Sequence, residues 1–409
     1  MTELTDAPAQ VGTPDFCHHE AIQDGYDHLF DVYQLSDPEM KRCLFATLLV
    51  KNALTLLSGT YGTGKTQFVH LIRKIFFSDG DGDYHYDVET CHQDLTAFDV
   101  LYHLDLAELQ QGEEVVHPKD MVTARLKFFN EIQRASPTFF NALLPFFSEY
   151  RITYRDYVFE IPDSVCIMDR NPQDASSGEI PEAFLDRIDY SFDVPAIHLD
   201  EMMTLQDIRR RGDGYHWGDL EDLVEPVVTF DQLSEVWDDV ERVDISRRAR
   251  MLGGMLTDAL RLCIVTDRST ARKDFDLECE KCQFYGEICS HLLKIPGQRI
   301  TNSMFRLAQA LAWLDGETEV GPGHLLSAFP WSFTHRLSLR PEHLRETPSE
   351  QHWVRHTAVA DMLRPKLPRW QDALDAYEEG DLETLEELGE NDLVVRELRV
   401  MAGDGQAGP

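Results

Sequence analysis

One octapeptide constrains the fold of this chain more than any other feature. Residues 59–66 read Gly-Thr-Tyr-Gly-Thr-Gly-Lys-Thr and fit the eight-residue phosphate-binding loop without a mismatch. An apolar run, Leu54–Leu57, precedes the loop, and an amphipathic stretch, Gln67–Phe77, follows it. In such loops glycines turn backbone N–H groups toward a β-phosphate, the lysine reaches the β and γ oxygens, and the last hydroxyl binds Mg²⁺. The predicted nucleotide contacts are Gly59, Thr60, Tyr61, Gly62, Thr63, Gly64, Lys65 and Thr66.

Two further apolar runs predict that the strand before this loop belongs to a parallel sheet. They are Leu126–Phe129 and Val165–Met168, and helical stretches separate them from one another and from the loop. After about residue 197 the pattern becomes helical, for example over Ser246–Val265 and Thr301–Leu314. The sequence therefore predicts an α/β domain with a parallel sheet flanked by helices, followed by an α-helical domain.

The same pattern suggests four segments along the 409 residues. We expect an N-terminal extension over 1–37, the nucleotide-binding α/β domain over 38–196, an α-helical domain over 197–340 and an acidic C-terminal extension over 341–409. The last segment shows helical spacing around Trp370–Leu388.

The run at 126–129 ends in Asn130 and Glu131, which resembles the second nucleotide motif, an apolar strand that ends in two acidic residues. Asn130 stands where an aspartate normally holds the Mg²⁺ water shell. An asparagine can still accept a hydrogen bond from a metal-bound water, but it brings no charge. Glu131 would orient or deprotonate the attacking water. The alternative is a core strand followed by a surface glutamate.

Several segments, in order along the chain, resemble the MoxR branch of the AAA+ ATPases. The resemblance rests on Asn130–Pro137 with Phe139–Leu144, on a predicted hairpin over Tyr150–Pro162, on Val165–Pro172 and on Ile180–Arg187. It implies a P-loop AAA+ core followed by a helical lid domain, with ATP and Mg²⁺ as ligands. It is strong up to about residue 195 and looser from there to 335.

The resemblance also implies roles for three further residues. Asn171 would help position the lytic water, and Arg187 would be an arginine finger that reaches the γ-phosphate bound by a neighbouring subunit. Arg299 falls where the family carries its sensor-2 arginine, with Arg306 as a competitor. Such ATPases form homo-oligomeric rings, here expected to be hexamers, and act on a protein client. Their typical partner bears a von Willebrand A domain.

A cysteine cluster within residues 263–292 departs from the family pattern. Cys279, Cys282 and Cys289, together with either Cys263 or His291, would complete a tetrahedral zinc set. Four cysteines would also suit an iron–sulfur cluster, although nothing else in the sequence suggests electron transfer. Buried or free thiols are the remaining alternative.

The net charge of the chain limits the kinds of partner that it can bind and indicates the salt concentration in which it works. Asp and Glu total 73 against 38 Lys and Arg, which gives a formal net charge of −35. A polyanion repels nucleic acid and anionic membranes, whereas high salt screens its self-repulsion, so we expect a halophilic source, with an ordinary acidic cytosolic protein as the alternative. No apolar run is long enough for a membrane span, and the cysteines fit a reducing compartment, so we expect a cytoplasmic protein.

Three other functions remain open from the sequence. Asn130 would weaken Mg²⁺ binding in a nucleotide switch with little hydrolysis. Related AAA+ proteins include nucleic-acid motors, against which the acidic charge argues. The chelatase branch is also related, but no feature indicates a porphyrin partner.

Overall fold

The computed structural model describes residues 12–78, 85–174, 178, 180–211, 217–262, 282–284, 287–294, 297, 299–339, 359 and 362–406. The chain divides into two compact units. The first comprises residues 1–181, 194–245 and 306–320, and the second comprises residues 182–193, 246–305 and 321–409.

A five-stranded sheet forms the core of the α/β part of the chain. Its strands are β1 (Leu54–Ser58), β2 (Tyr86–Thr90), β5 (Leu126–Asn130), β8 (Val165–Arg170) and β9 (Tyr190–Asp193). They lie in the order β2-β5-β8-β1-β9, and the β2–β5, β5–β8 and β8–β1 pairs are parallel. The central strands β1 and β8 are buried along most of their length because both faces carry apolar side chains.

The three strands predicted from apolar runs are confirmed as β1, β5 and β8. The edge strand β2 was not predicted. It reads Tyr-Asp-Val-Glu-Thr and is only partly buried, so it lacks the apolar run that marks a central strand.

Several helices of the first unit begin at a side chain that caps the first turn. Asp37 accepts hydrogen bonds from the N–H groups of Glu39 (2.9 Å) and Met40 (3.2 Å), with Pro38 in the first turn. Ser136 accepts from the N–H of Phe139 at 3.2 Å. The helices of this unit include α1 (His19–Val32), α2 (Pro38–Ala46), α3 (Lys65–Phe76), α7 (Pro137–Ser148), α9 (Leu199–Arg211) and α10 (Phe230–Val240).

Two antiparallel hairpins interrupt the α/β pattern of the first unit. One joins β3 (Tyr102–Leu104) to β4 (Val116–Pro118). The other joins β6 (Arg151–Tyr154) to β7 (Tyr157–Glu160), as the sequence predicted over 150–162. Shorter elements of this unit are α4 (Ala97–Val100), α5 (Leu106–Gln110), α6 (Asp120–Thr123) and the parallel pair β10 (Asp244–Ile245) and β12 (Glu319–Val320).

The second unit is mainly helical. Ser246 caps the predicted helix over 246–265, which the structure describes as α11 (Arg247–Arg261), by accepting from the N–H of Ala249 at 3.0 Å. The division between the units falls within α13 (Arg299–Leu314), the helix predicted over 301–314, and Gly316 in the left-handed region follows its end. The other elements are α8 (Glu182–Leu185), α12 (Ile288–His291), α14 (Pro322–Phe333) and the antiparallel pair β11 (Leu292–Lys294) and β13 (Ser338–Leu339).

Three helices close the second unit: α15 (Leu367–Glu379), α16 (Leu382–Gly389) and α17 (Leu393–Gln406). Gly380, at φ +76°, ends α15, so the helical region predicted around 370–388 consists of two helices. The buried Trp370 donates its Nε1–H to Asp392 at 3.0 Å, and the same carboxylate caps α17. One aspartate therefore fixes both the core of this three-helix group and the start of its last helix.

Within the described residues, no helix is both long enough and apolar enough to cross a membrane.

Candidate functional site

The phosphate loop predicted from the sequence connects β1 to α3. Gly62 and Gly64 have φ angles of +78° and +83°, which favour glycine, and α3 begins directly after Gly64. A Cβ at Gly59 would lie 2.7 Å from the carbonyl oxygen of Val194, so any larger residue at this position would clash with that oxygen. The N-terminus of the twelve-residue helix α3 therefore opens onto the loop, as an anion site requires.

Lys65 is buried beneath this loop. Its Nζ donates to the carbonyl oxygens of Gly59 at 2.8 Å and Thr60 at 3.0 Å, and it lies 4.0 Å from Oδ2 of Asp169. Burial lowers the pKa of Lys65, against the opposing effect of the nearby carboxylates. The loop thus holds a cation at the place where phosphate oxygens would lie.

The carboxyl ends of β5 and β8 face the same loop. The Asn130 side chain is half-buried and donates from Nδ2 to Oγ1 of Thr90 on β2 at 3.3 Å. Glu131 follows in the left-handed region at φ +55°, and its N–H donates to Oδ1 of Asp169 at 2.6 Å. Asp169 therefore stabilises the backbone conformation in which Glu131 is presented.

Arg134 connects Glu131 to the rim of the site. Its Nη1 lies 2.9 Å from the Glu131 carboxylate, and its Nη2 lies 2.8 Å from Asp174. The same Nη2 donates to the hydroxyl of Tyr61 in the phosphate loop at 3.2 Å. This polar chain runs from the candidate general base to the loop.

Asn171 lies at the end of β8 and is 4% exposed. Its Oδ1 accepts from the N–H of Gln173 at 3.1 Å. Among the residues that the structure describes, its buried Nδ2 has no hydrogen-bond partner. An unsatisfied buried donor in a cleft is costly unless a ligand or water completes it, so Asn171 fits a role toward a bound group.

These features border one open cleft of about 520 Å³. A helix N-terminus, a buried lysine, a hydroxyl at Thr66 and an unsatisfied amide suit a nucleoside triphosphate with Mg²⁺. The cleft is lined by Tyr61, Gly62, Thr63, Gly64, Lys65, Thr66, Gln67, His70, Asn130, Glu131, Asp169, Asn171 and Glu221. Lys65, Thr66, Asn130, Glu131 and Asn171, all predicted from the sequence, thus come together.

Sequence reasoning missed three lining residues with functional side chains. Asp169 is the clearest case: it is a single acidic residue near the end of a buried apolar strand, but its importance depends on its neighbours on other strands. Its burial raises the pKa of the carboxyl to about 6. His70, on α3, places its Nδ1 2.8 Å from Oε1 of Glu221, and no motif marks either residue.

The two predicted phosphate-sensing arginines lie in the second unit. Arg187 donates from Nη1 to the carbonyl oxygen of Ala183 at 2.6 Å, and burial followed by repulsion from Arg299 lowers its pKa. Arg299 lies at the start of α13, where its Nη1 is 2.7 Å from Oδ2 of Asp186. The competitor Arg306 belongs to the first unit and donates to the carbonyl oxygen of Lys51.

The predicted metal cluster falls largely outside the described part of the chain. Cys263, Cys279 and the side chain of Cys289 lie outside it, whereas Cys282 is half-buried and His291 ends α12. Over the described ranges, no group of three or more His, Cys, Asp or Glu residues is arranged to hold a metal ion. Zinc or iron–sulfur binding by this cluster stays a prediction.

Comparison with known families and structures agrees with this geometry. Residues 55–188 match the family described as AAA domain (dynein-related subfamily), and residues 291–355 match the family described as AAA lid domain. No curated protein sequence matches the chain.

Solved structures share the fold of the chain, and 495 chains of known structure match it. One is the crystal structure of a candidate ATPase from Cytophaga hutchinsonii, which matches with a TM-score of 0.64 and 18% sequence identity. The match covers 85% of this chain and 94% of that one. At this identity the likeness shows the fold alone. Together with the two domain matches, it shows that the chain carries an AAA+ domain, with a parallel sheet flanked by helices, and a helical lid region after it.

Proposed function

We propose that the chain is an ATP-hydrolysing AAA+ ATPase of the MoxR type that works as a ring and remodels a protein partner. The observation that carries this proposal is the cleft in which the phosphate loop, Glu131 and Asn171 meet. A loop that only bound phosphate would need neither a carboxylate nor an unsatisfied amide beside it.

The residues of the cleft divide the chemistry of phosphoanhydride hydrolysis between them. The loop amides and Lys65 bind and orient the β- and γ-phosphates, and Thr66 would hold Mg²⁺, which neutralises developing charge when bound. Glu131 would accept a proton from the attacking water, and the buried Nδ2 of Asn171 would donate to that water or to the γ-phosphate.

We further propose that a neighbouring subunit completes each site through Arg187, with Arg299 as the sensor-2 residue of the lid. AAA+ ATPases commonly form hexameric rings, and a cation supplied in trans explains why assembly would be needed for turnover. The proposed division of the chain remains 1–37, 38–196, 197–340 and 341–409.

The client would be a protein, most consistently one that bears a von Willebrand A domain, as the MoxR resemblance implies. The net charge of −35 disfavours nucleic acid as the substrate and supports a halophilic setting, and the cysteines, which fit a reducing compartment, support a cytoplasmic one. The acidic C-terminal segment from Trp370 to Val400 would be a candidate docking element, with a plain capping role as the alternative.

Steady-state ATPase measurements in molar KCl test this proposal. Wild type should hydrolyse ATP, whereas Glu131→Gln should bind ATP without turnover. The control variant Glu149→Gln removes an exposed carboxylate in the turn before β6 and should behave as wild type. Equal rates for wild type and Glu131→Gln would reject hydrolysis.

A second candidate, a nucleotide switch with little turnover, is favoured by two specific observations. Asn130 brings no charge to the metal side of the cleft, and Glu131 is paired with Arg134 at 2.9 Å. In that case wild type would bind ATP tightly and release no more phosphate than Glu131→Gln.

A further inference from the structure

The acidic residue that β5 lacks has a counterpart one strand away. In the parallel register Phe129 of β5 pairs with Met168 of β8, and extending that register by one residue sets Asn130 beside Asp169. On the other side of β8, Asp169 pairs with Leu57 of β1, the strand that leads into the phosphate loop. Asp169 therefore lies near the end of the strand between the loop and Asn130.

The Asn130 side chain is engaged away from β8. Its Nδ2 donates to Thr90 on β2, the strand on the far side of β5 from β8. An amide in this place offers an oxygen acceptor but no negative charge. Position 130 therefore contributes no carboxylate to the part of the cleft where Mg²⁺ would bind.

Asp169 has the burial and placement to provide that carboxylate. It is 5% exposed, yet it lines the cleft together with Lys65 and Thr66. One oxygen, Oδ1, accepts from the N–H of Glu131 at 2.6 Å, while Oδ2 lies 4.0 Å from Nζ of Lys65. A buried carboxylate is costly unless cations or hydrogen bonds compensate it. At 4.0 Å the lysine compensates it only in part.

Building on the proposed function, we infer that Asp169 supplies the metal-side carboxylate missing at position 130. Its Oδ2 accepts a hydrogen bond from a water of the Mg²⁺ shell, while Oδ1 holds the backbone of Glu131. The charge that the second nucleotide motif lacks is thereby present on the adjacent strand. The chain needs no aspartate at position 130 to bind Mg²⁺–ATP, which also answers the strongest argument for an inert switch.

A structural role is the rival explanation of the same geometry. Asp169 would then only pin the left-handed backbone of Glu131, at φ +55°, and contribute nothing to metal binding. The two explanations differ in one measurable quantity, the factor by which Mg²⁺ tightens ATP binding.

The test removes the carboxylate at position 169 and restores one at position 130. It measures nucleotide affinity rather than turnover. The dissociation constant of a fluorescent ATP analogue is measured in molar KCl, once with Mg²⁺ and once with EDTA. The variants are Asp169→Asn, Asn130→Asp and the double variant Asn130→Asp/Asp169→Asn. Asp163→Asn is the matched control, since Asp163 lies just before β8 at the opposite edge of the sheet and pairs with Lys51.

We expect Asp169→Asn to reduce the tightening by Mg²⁺ about 10-fold or more, in line with losses of outer ligands at metal sites. Affinity in EDTA should change little, and Asp163→Asn should match wild type. The double variant should recover most of the Mg²⁺ effect because the carboxylate returns at position 130. Asp169→Thr carries the same test if Asp169→Asn does not fold, since its hydroxyl can still accept from Glu131.

An unchanged Mg²⁺ effect in Asp169→Asn would overturn the inference. So would a double variant that folds but does not recover, because that result assigns Asp169 only to the backbone of Glu131. If wild type itself binds no nucleotide with either Mg²⁺ or EDTA, the proposed function fails instead, so the two failures are distinguishable.

Discussion

The two units of the molecule present their functional groups in different ways. In the first unit the loop, Glu131 and Asn171 converge on one cleft, and Asn171 retains an unsatisfied buried donor among the described residues. In the second unit Arg187 and Arg299 are bonded within their own unit, to Ala183 and Asp186. The first unit is preorganised for a ligand, whereas the arginines must exchange partners to act on one.

The largest expected effect is the loss of ATPase rate on substitution of Arg187. Arg187→Ala should lower kcat about 10³–10⁵-fold if the residue acts as an arginine finger. ATP affinity should change far less, because the first unit keeps its cleft. Arg151→Ala, which removes an exposed hairpin arginine, is the control for loss of charge.

Mixing two inactive variants tests whether Arg187 acts on the site of a neighbouring subunit. When Arg187→Ala and Glu131→Gln subunits are combined, some interfaces join an intact Glu131 to an intact Arg187. Phosphate release should then recover in part, although each variant alone is inactive. Failure to recover in a mixed oligomer that has been verified by mass would show that Arg187 does not act across subunits.

Glu131→Gln should have the next largest effect. Loss of the general base is expected to slow the chemical step about 10²–10⁴-fold while the fluorescent ATP analogue still binds. Rapid-quench measurement of a single turnover tests this directly. A variant that also loses affinity would mean that Glu131 shapes the phosphate loop through Arg134 rather than acting on water.

An intermediate effect should separate stability from nucleotide binding. Asp392→Ala removes the acceptor of the buried Trp370 N–H and the cap of α17, so we expect a loss of about 2–4 kcal/mol in unfolding free energy. Chemical denaturation in molar KCl measures it, with Asp381→Ala, an exposed cap of α16, as the matched and milder control. ATP affinity should not change. A parallel loss of affinity would mean that Asp392 affects nucleotide binding as well as the stability of its own unit.

The smallest expected effect concerns the Asp186–Arg299 pair. Both side chains are partly exposed, at 34% and 48%, so Asp186→Asn should change stability by less than about 1 kcal/mol. If Arg299 must leave Asp186 to reach a phosphate, the variant should bind ATP slightly more tightly. A weaker affinity with unchanged stability would indicate that the pair positions Arg299 for binding.

The sequence predicted the features whose geometry is local. The loop at 59–66 and the strands before and around it follow from short-range patterns, because glycines, apolar runs and caps act within a few residues. The edge strand β2 escaped because its residues are mostly polar, and Asp169 escaped because its importance lies in its neighbours on two other strands. Strand order and the side chains that it juxtaposes are not encoded in any one segment.

The arginines show a different limit. Their predicted roles rest on family resemblance and concern states in which nucleotide and neighbouring copies are bound, whereas local contacts decide where each side chain lies in a single chain. Pairing of Arg299 with Asp186 follows from the charges of both residues and could not be read from either motif.

The packing around Gly59 constrains how this position can evolve. The carbonyl oxygen of Val194 would lie 2.7 Å from any Cβ at this position, and the N–H of Val194 donates to the carbonyl oxygen of Ser58 at 2.7 Å. Contact with the backbone of Val194, rather than contact with a bound phosphate, thus excludes larger side chains at position 59. A descendant that had lost its nucleotide would still be under selection to keep this glycine, so its presence in a homologue would be a poor marker of retained activity.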